Sequence, residues 1–207
     1  MNQIIKSLNQ IGQKYIDESF HFIESGSSIY TIKGACLSKT IISKSDKVAE
    51  TLKWLDLFWI YIEIYFVFHE SKRKTKSKNK TQFPNIIFSL TIFQGSKEEM
   101  NKHQVFRAEW DNKDAEKENH PQPHWHFHYC KNLVRKFEGD NLSKFGSKEI
   151  NSLNFDKFHF AMNGQWANSG NDIHRITTEG KLINWFSGII IHIRKELNYI
   201  KKKSKIN

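Results

Sequence analysis

The chain opens in a helical rhythm. Ile4, Ile5, Leu8, Ile11, Tyr15 and Ile16 recur at steps of three and four, which gathers them on one face of an amphipathic helix ending before Gly26. Ile29 to Lys33 reads as a short strand. Asp46 then stands where an N-cap would, and Val48, Leu52 and Leu55 follow at helical spacing, so the pattern predicts a second helix there.

From Phe58 the period drops to two. Phe58, Ile60, Ile62, Ile64, Phe66 and Phe68 fall on one face of a strand, and Trp59, Tyr61, Glu63, Tyr65, Val67 and His69 on the other. The alternation returns in Ile86 to Gln94, with Ile86, Phe88, Leu90 and Ile92 opposite Ser89 and Thr91. It returns again in Val105 to Asp111, where Phe106, Ala108 and Trp110 oppose Arg107, Glu109 and Asp111. His124 to Cys130 sets Trp125, Phe127 and Tyr129 against His124, His126 and His128, and Phe158, Phe160 and Met162 alternate with His159, Ala161 and Asn163. From about Thr177 a long helix carries Leu182, Trp185, Phe186, Ile189, Ile193, Leu197 and Ile200 on one side. These elements predict a single α+β domain over residues 1–207, with four to five mostly antiparallel strands. The N-terminal and C-terminal helices cover its one apolar face. Residues 139–154 read as an irregular connection.

Composition agrees with this outline. A chain of 207 residues that is 38% hydrophobic and 14% aromatic closes a core, which excludes wholesale disorder. Two cysteines, Cys36 and Cys130, exclude a disulfide framework and a Cys-rich zinc module. The apolar run from Trp54 to Phe68 is interrupted by Asp56 and Glu63 and falls short of the roughly 20 residues a membrane helix needs. No secretory signal is visible, so the expected location is the cytoplasm, with no membrane partner.

Charge changes the picture more. Lys and Arg number 32 against 22 Asp and Glu, a net charge of +10. Such a surface favours polyanions through counterion release, so nucleic acid is the expected partner, RNA ahead of DNA. A Lys-, Asn- and Ile-rich vocabulary also produces this excess by itself. The loop Lys72, Arg73, Lys74, Lys76, Lys78 and Lys80 has no apolar residue and suits either phosphate contact without sequence reading or a flexible solvated tip. The basic tail 201–207, with Lys201, Lys202, Lys203 and Lys205, has the same two readings.

Strand parity also gathers the chemistry. With the apolar residues down, one open face collects Glu63, Ser89, Thr91, Arg107, Glu109, Asp111, His124, His126, His128 and His159. An acid, a guanidinium and several imidazoles on one surface make an acid–base site. Arg107, Glu109, His124 and His126 form its core, with His128, His159 and Glu63 in support. Two chemistries fit. One is metal-free cleavage of RNA, with one imidazole or Glu109 as base, a second imidazole as acid, and Arg107 meeting the phosphate charge. The other is a divalent metal such as zinc held by His124 and His126 with Glu109 or His159, activating water for hydrolysis. The cofactor is therefore either none or such an ion.

A non-catalytic alternative stands beside both. Trp59, Tyr61 and Tyr65 on the same face could stack bases, or the face could receive a protein partner or inhibitor. His174 and Arg175, just before the last helix, suit phosphate binding or a plain solvated loop, and His192 reads as packing. Gly-rich phosphate loops, dinucleotide fingerprints and a Gly-x-Ser-x-Gly elbow are absent from the sequence. The stretch Phe106 to Phe127, an Arg-x-Glu strand followed by a histidine strand, is similar in style to small bacterial nuclease toxins and defence effectors, which implies a nuclease.

Overall fold

A computed structural model describes residues 1–42, 47–68, 83–111, 124–127, 159–161, 176 and 178–204. The chain runs α1 (Asn2–Tyr15), β1 (His21–Gly26), β2 (Ile29–Lys33), β3 (Leu37–Ile42), β4 (Lys47–Leu55), β5 (Phe58–Val67), β6 (Asn85–Gln94), β7 (His103–Asp111), β8 (His124–Phe127), β9 (His159–Ala161) and α2 (Glu179–Ser204). The strands form one sheet in the order β1-β2-β5-β6-β7-β8-β9, and β4 joins β5 beside β2 while carrying β3 on its other edge. Every pairing is antiparallel. The fold is α+β as expected, with nine strands among the described residues in place of four to five.

The apolar face is the one the alternation assigned. Ile60, Ile62, Ile64, Phe88, Leu90 and Trp110 are buried there with Leu182, Trp185, Phe186 and Ile189 of α2. Trp185 is the hinge of this packing. Its ring meets Phe88 edge-on at 4.6 Å and Trp110 at 5.5 Å, the T-shaped geometry that aromatic quadrupoles favour. Helix α1 adds Ile4 and Leu8 to the same core. Phe20 lies against Gly12, where an added Cβ would stand 2.0 Å from its ring. The Tyr15 carbonyl at the end of α1 accepts from Trp54 Nε1 at 2.9 Å and from Arg194 Nη1 at 2.6 Å, tying α1 to β4 and α2. Among the described residues no helix is long and apolar enough to cross a membrane.

The helix expected after Asp46 is a strand. Lys47–Leu55 pairs with β3 and β5, and Val48, assigned to an inward helical face, is 57% exposed. Three apolar residues at steps of four and three fit a helix, yet the ladder with β5, reached through the two residues Asp56 and Leu57, overrides that local signal. On β1 Phe22 is buried, whereas on β3 the apolar Leu37, Ile41 and Ile42 are only half-buried. On β3 the buried residues are Ser38 and Thr40.

Those hydroxyls explain why β3 folds inward. Thr40 Oγ1 donates to the Met100 carbonyl at 3.0 Å, Ser38 Oγ donates to the Lys97 carbonyl, and Ile41 N–H reaches Met100 O at 2.9 Å. Lys102 Nζ completes the knot by donating to Ser38 Oγ at 2.7 Å, to Lys39 O at 3.1 Å and to Glu99 O. Its ammonium stands 5.1 Å over the Trp59 ring, whose Nε1 donates to Gly95 O at 2.9 Å. The second face of the sheet is consequently not the open surface the alternation implied. Trp59, Thr91, Phe93, Arg107, His124 and His126 are all buried on it. Trp59 is therefore closed to base stacking, which corrects its place in the binding-module reading; Tyr65 is exposed.

Candidate metal centre

The register of three neighbouring strands assembles the site. Ser89 on β6 pairs with Glu109 on β7, and Glu109 pairs with His124 on β8. One row over, Thr91 pairs with Arg107, Arg107 with His126, and His126 with His159 on β9. Directly opposed residues on one face of an antiparallel pair bring their Cβ atoms to about 5 Å, and alternate residues on a strand share a face. Two adjacent rows on β7 and β8 thus present Arg107, Glu109, His124 and His126 as a compact square.

Their polar atoms converge. His126 Nε2 lies 2.7 Å from Glu109 Oε2 and also 2.7 Å from His124 Nε2, while His124 Nε2 lies 3.5 Å from the same Glu109 oxygen. The two imidazoles meet edge to face, with centroids 4.6 Å apart. Arg107 Nε stands 2.8 Å from Glu109 Oε1. The histidine and arginine side chains are almost wholly enclosed, and Glu109 retains 23% exposure. Burial by itself would raise the Glu109 carboxyl. The hydrogen bonds of His124 and His126 and the charges of Arg107 and His126 outweigh it and hold the group well below the usual carboxylate range.

A ring nitrogen offers either one N–H or one lone pair. His126 Nε2 faces two close partners, and one proton cannot serve both contacts at full strength. A cation between the three atoms can. Glu109, His124 and His126 are the one group of His, Cys, Asp and Glu side chains among the described residues that could hold a metal ion. Tetrahedral ligation with bonds near 2.1 Å sets ligand atoms about 3.4 Å apart, a shift of less than about 1 Å from the distances here. Two imidazoles and one carboxylate suit zinc, and leave at least one position for water.

The other expected site residues divide clearly. Glu63 is not brought to the centre: the pairings Glu63–Ser89 and Ser89–Glu109 leave β6 between the two carboxylates, about 10 Å apart at normal strand spacing. It accepts instead from Tyr61 Oη at 2.8 Å, and burial, with Glu63 adding to it, keeps the Tyr61 phenol protonated above its ordinary 10.0. His159 is the register partner of His126 on β9. His128, His174, Arg175, Cys130 and the loop residues Lys72, Arg73, Lys74, Lys76, Lys78 and Lys80 lie outside the described residues. His192 sits on α2 with its ring 6.4 Å from that of Trp125, on the face opposite the centre. No residue of the metal-capable group was missed by parity; its burial was.

No protein-family model, curated protein or solved structure matches this chain.

Proposed function

We propose that the protein is a hydrolase dependent on a divalent metal ion held by Glu109, His124 and His126, acting on phosphodiester bonds of nucleic acid. The observation that carries this reading is the His126 Nε2 atom, which has 2.7 Å contacts to both Glu109 and His124 and one valence to serve them. The same distances weigh against the metal-free route. Two imidazoles acting as base and acid on one phosphate face its attacking and leaving oxygens, so their nitrogens stand about 5 Å or more apart. At 2.7 Å no phosphate fits between them.

A zinc-type ion lowers the pKa of bound water toward neutrality. The residues do the rest. Glu109 supplies the anionic ligand, the buried histidines fix the geometry, and Arg107 offers positive charge beside the opening. Water adds to phosphorus, the bond to the leaving oxygen breaks, and a proton from the water ends on that oxygen, with no change of oxidation state. The net charge of +10 favours a polyanionic substrate.

The test is metal content of the purified protein together with cleavage of labelled RNA and single-stranded DNA, with and without chelator. One equivalent of zinc, cleavage lost on chelation and restored by metal, and loss of both metal and cleavage in His126→Ala are expected. Cleavage that survives chelation would return the reading to acid–base chemistry. Bound iron with oxygen-dependent turnover would replace hydrolysis altogether.

A further inference from the structure

With a divalent ion bound, the centre would carry a positive charge that its described residues leave unanswered. Glu109 contributes one negative charge and Arg107 one positive charge. Histidines ligate metal in the neutral form, so a divalent ion would leave the group at about +2. Uncompensated charge in a buried site is costly, and the natural remedy is an anion.

Arg107 indicates where that anion sits. Its side chain is 7% exposed, and its charge contact with Glu109 Oε1 at 2.8 Å is not an aligned hydrogen bond, because its Nε is buried without an acceptor. Among the described residues no hydrogen bond to its two terminal nitrogens is made either. A guanidinium is a fork of five donors shaped for two oxygens of a carboxylate or phosphate. Leaving the Nε donor buried without an aligned acceptor costs stability that a purely structural arginine would recover by bonding a carbonyl. The register places it beside His126 and two residues from Glu109, against the position where the ion would stand.

We propose that Arg107 is a substrate ligand: its guanidinium and the metal together clamp one phosphate group, the guanidinium on two oxygens and the ion on a third. The inference rests on the metal reading and names the residue that selects phosphate as the group to be bound. It also gives the basic surface a destination, since long-range attraction alone does not position a reacting phosphate.

The experiment measures inorganic phosphate binding by calorimetry to zinc-loaded wild type, Arg107→Lys and Arg107→Gln, at about 0.3 M salt to screen surface lysines. Metal content and melting temperature are recorded for each. Wild type is expected to bind one phosphate. Arg107→Lys, which keeps the charge beside Glu109 and loses the fork, should retain zinc while phosphate affinity falls about 10-fold, and Arg107→Gln about 100-fold. Unchanged phosphate affinity in either zinc-retaining variant would overturn the role of Arg107 and leave the metal reading standing. Zinc-loaded wild type that binds no phosphate would do the same. Wild type that takes up no zinc would overturn both. If Arg107→Gln fails to fold, the lysine variant still decides, because it preserves the charge balance of the cluster.

Discussion

Two polar clusters are buried on the same face of this sheet, and they differ in how far their atoms are satisfied. Around Lys102, three N–H donors meet three oxygens, from Ser38, Lys39 and Glu99, and the charge rests above Trp59. Burial lowers the Lys102 ammonium below its ordinary 10.5, with Glu99 and Glu98 pulling the other way. Around Glu109, the reverse holds: three ligand atoms crowd toward one point with too few protons, and a neighbouring guanidinium has a buried donor without an acceptor. Saturation marks the first as structure. Convergence of three ligand atoms on one point is the feature of the second on which the metal proposal rests.

That contrast can be broken by substitution. The largest effect should come from Lys102→Met, which leaves the Ser38, Lys39 and Glu99 oxygens without their donor. A loss of about 2 to 4 kcal/mol in urea unfolding is expected. A loss near zero would mean that the Lys102 knot does not hold β3 in place. A smaller effect lies on β5, where Tyr61 donates to Glu63 in a pair that is also complete. Its phenol titrates above 10.0 in the folded protein, so the unfolded chain ionises first as pH rises. The contribution is therefore whole below about pH 10 and declines above it, which phenolate absorbance and unfolding midpoints from about pH 9 to pH 11 would follow. In Glu63→Gln the phenol should titrate closer to its ordinary value.

The smallest stability effect should belong to the candidate centre. Replacing the whole group at once, as Arg107→Met, Glu109→Leu, His124→Leu and His126→Leu, should leave the protein within about 1 kcal/mol of the metal-free wild type, or more stable, because a buried ionic group exchanged for apolar residues is commonly neutral or better. Melting temperatures of the two metal-free proteins check this. A large loss would place the cluster with Lys102 among the structural ones.

Much of the centre was legible before any strand was placed. The apolar residues Phe106, Ala108 and Trp110 fixed the parity of Arg107 and Glu109, and Trp125 fixed that of His124 and His126. Glu63 shows the limit of that reading. It has the correct parity, yet β6 stands between it and Glu109, and parity carries no information about how many strands intervene. The helical spacing of Val48, Leu52 and Leu55 misleads on β4, and β3 has no apolar alternation, because their inward residues include Thr51, Ser38 and Thr40. Hydroxyl side chains bury only when partners such as Met100 O and Lys97 O are delivered from elsewhere in the chain.

The sequence by itself determined which residues share a face on the strands from β5 onward and which face the two helices cover, since the two-residue pleat and the turn of a helix are local properties of the chain. Only the tertiary structure decided that Glu109 stands opposite His124 and Arg107 opposite His126, and that all but the carboxylate are enclosed. Register and burial depend on which distant segments pair and pack. A carboxylate and two imidazoles can share a cation only where such pairing leaves them facing one another.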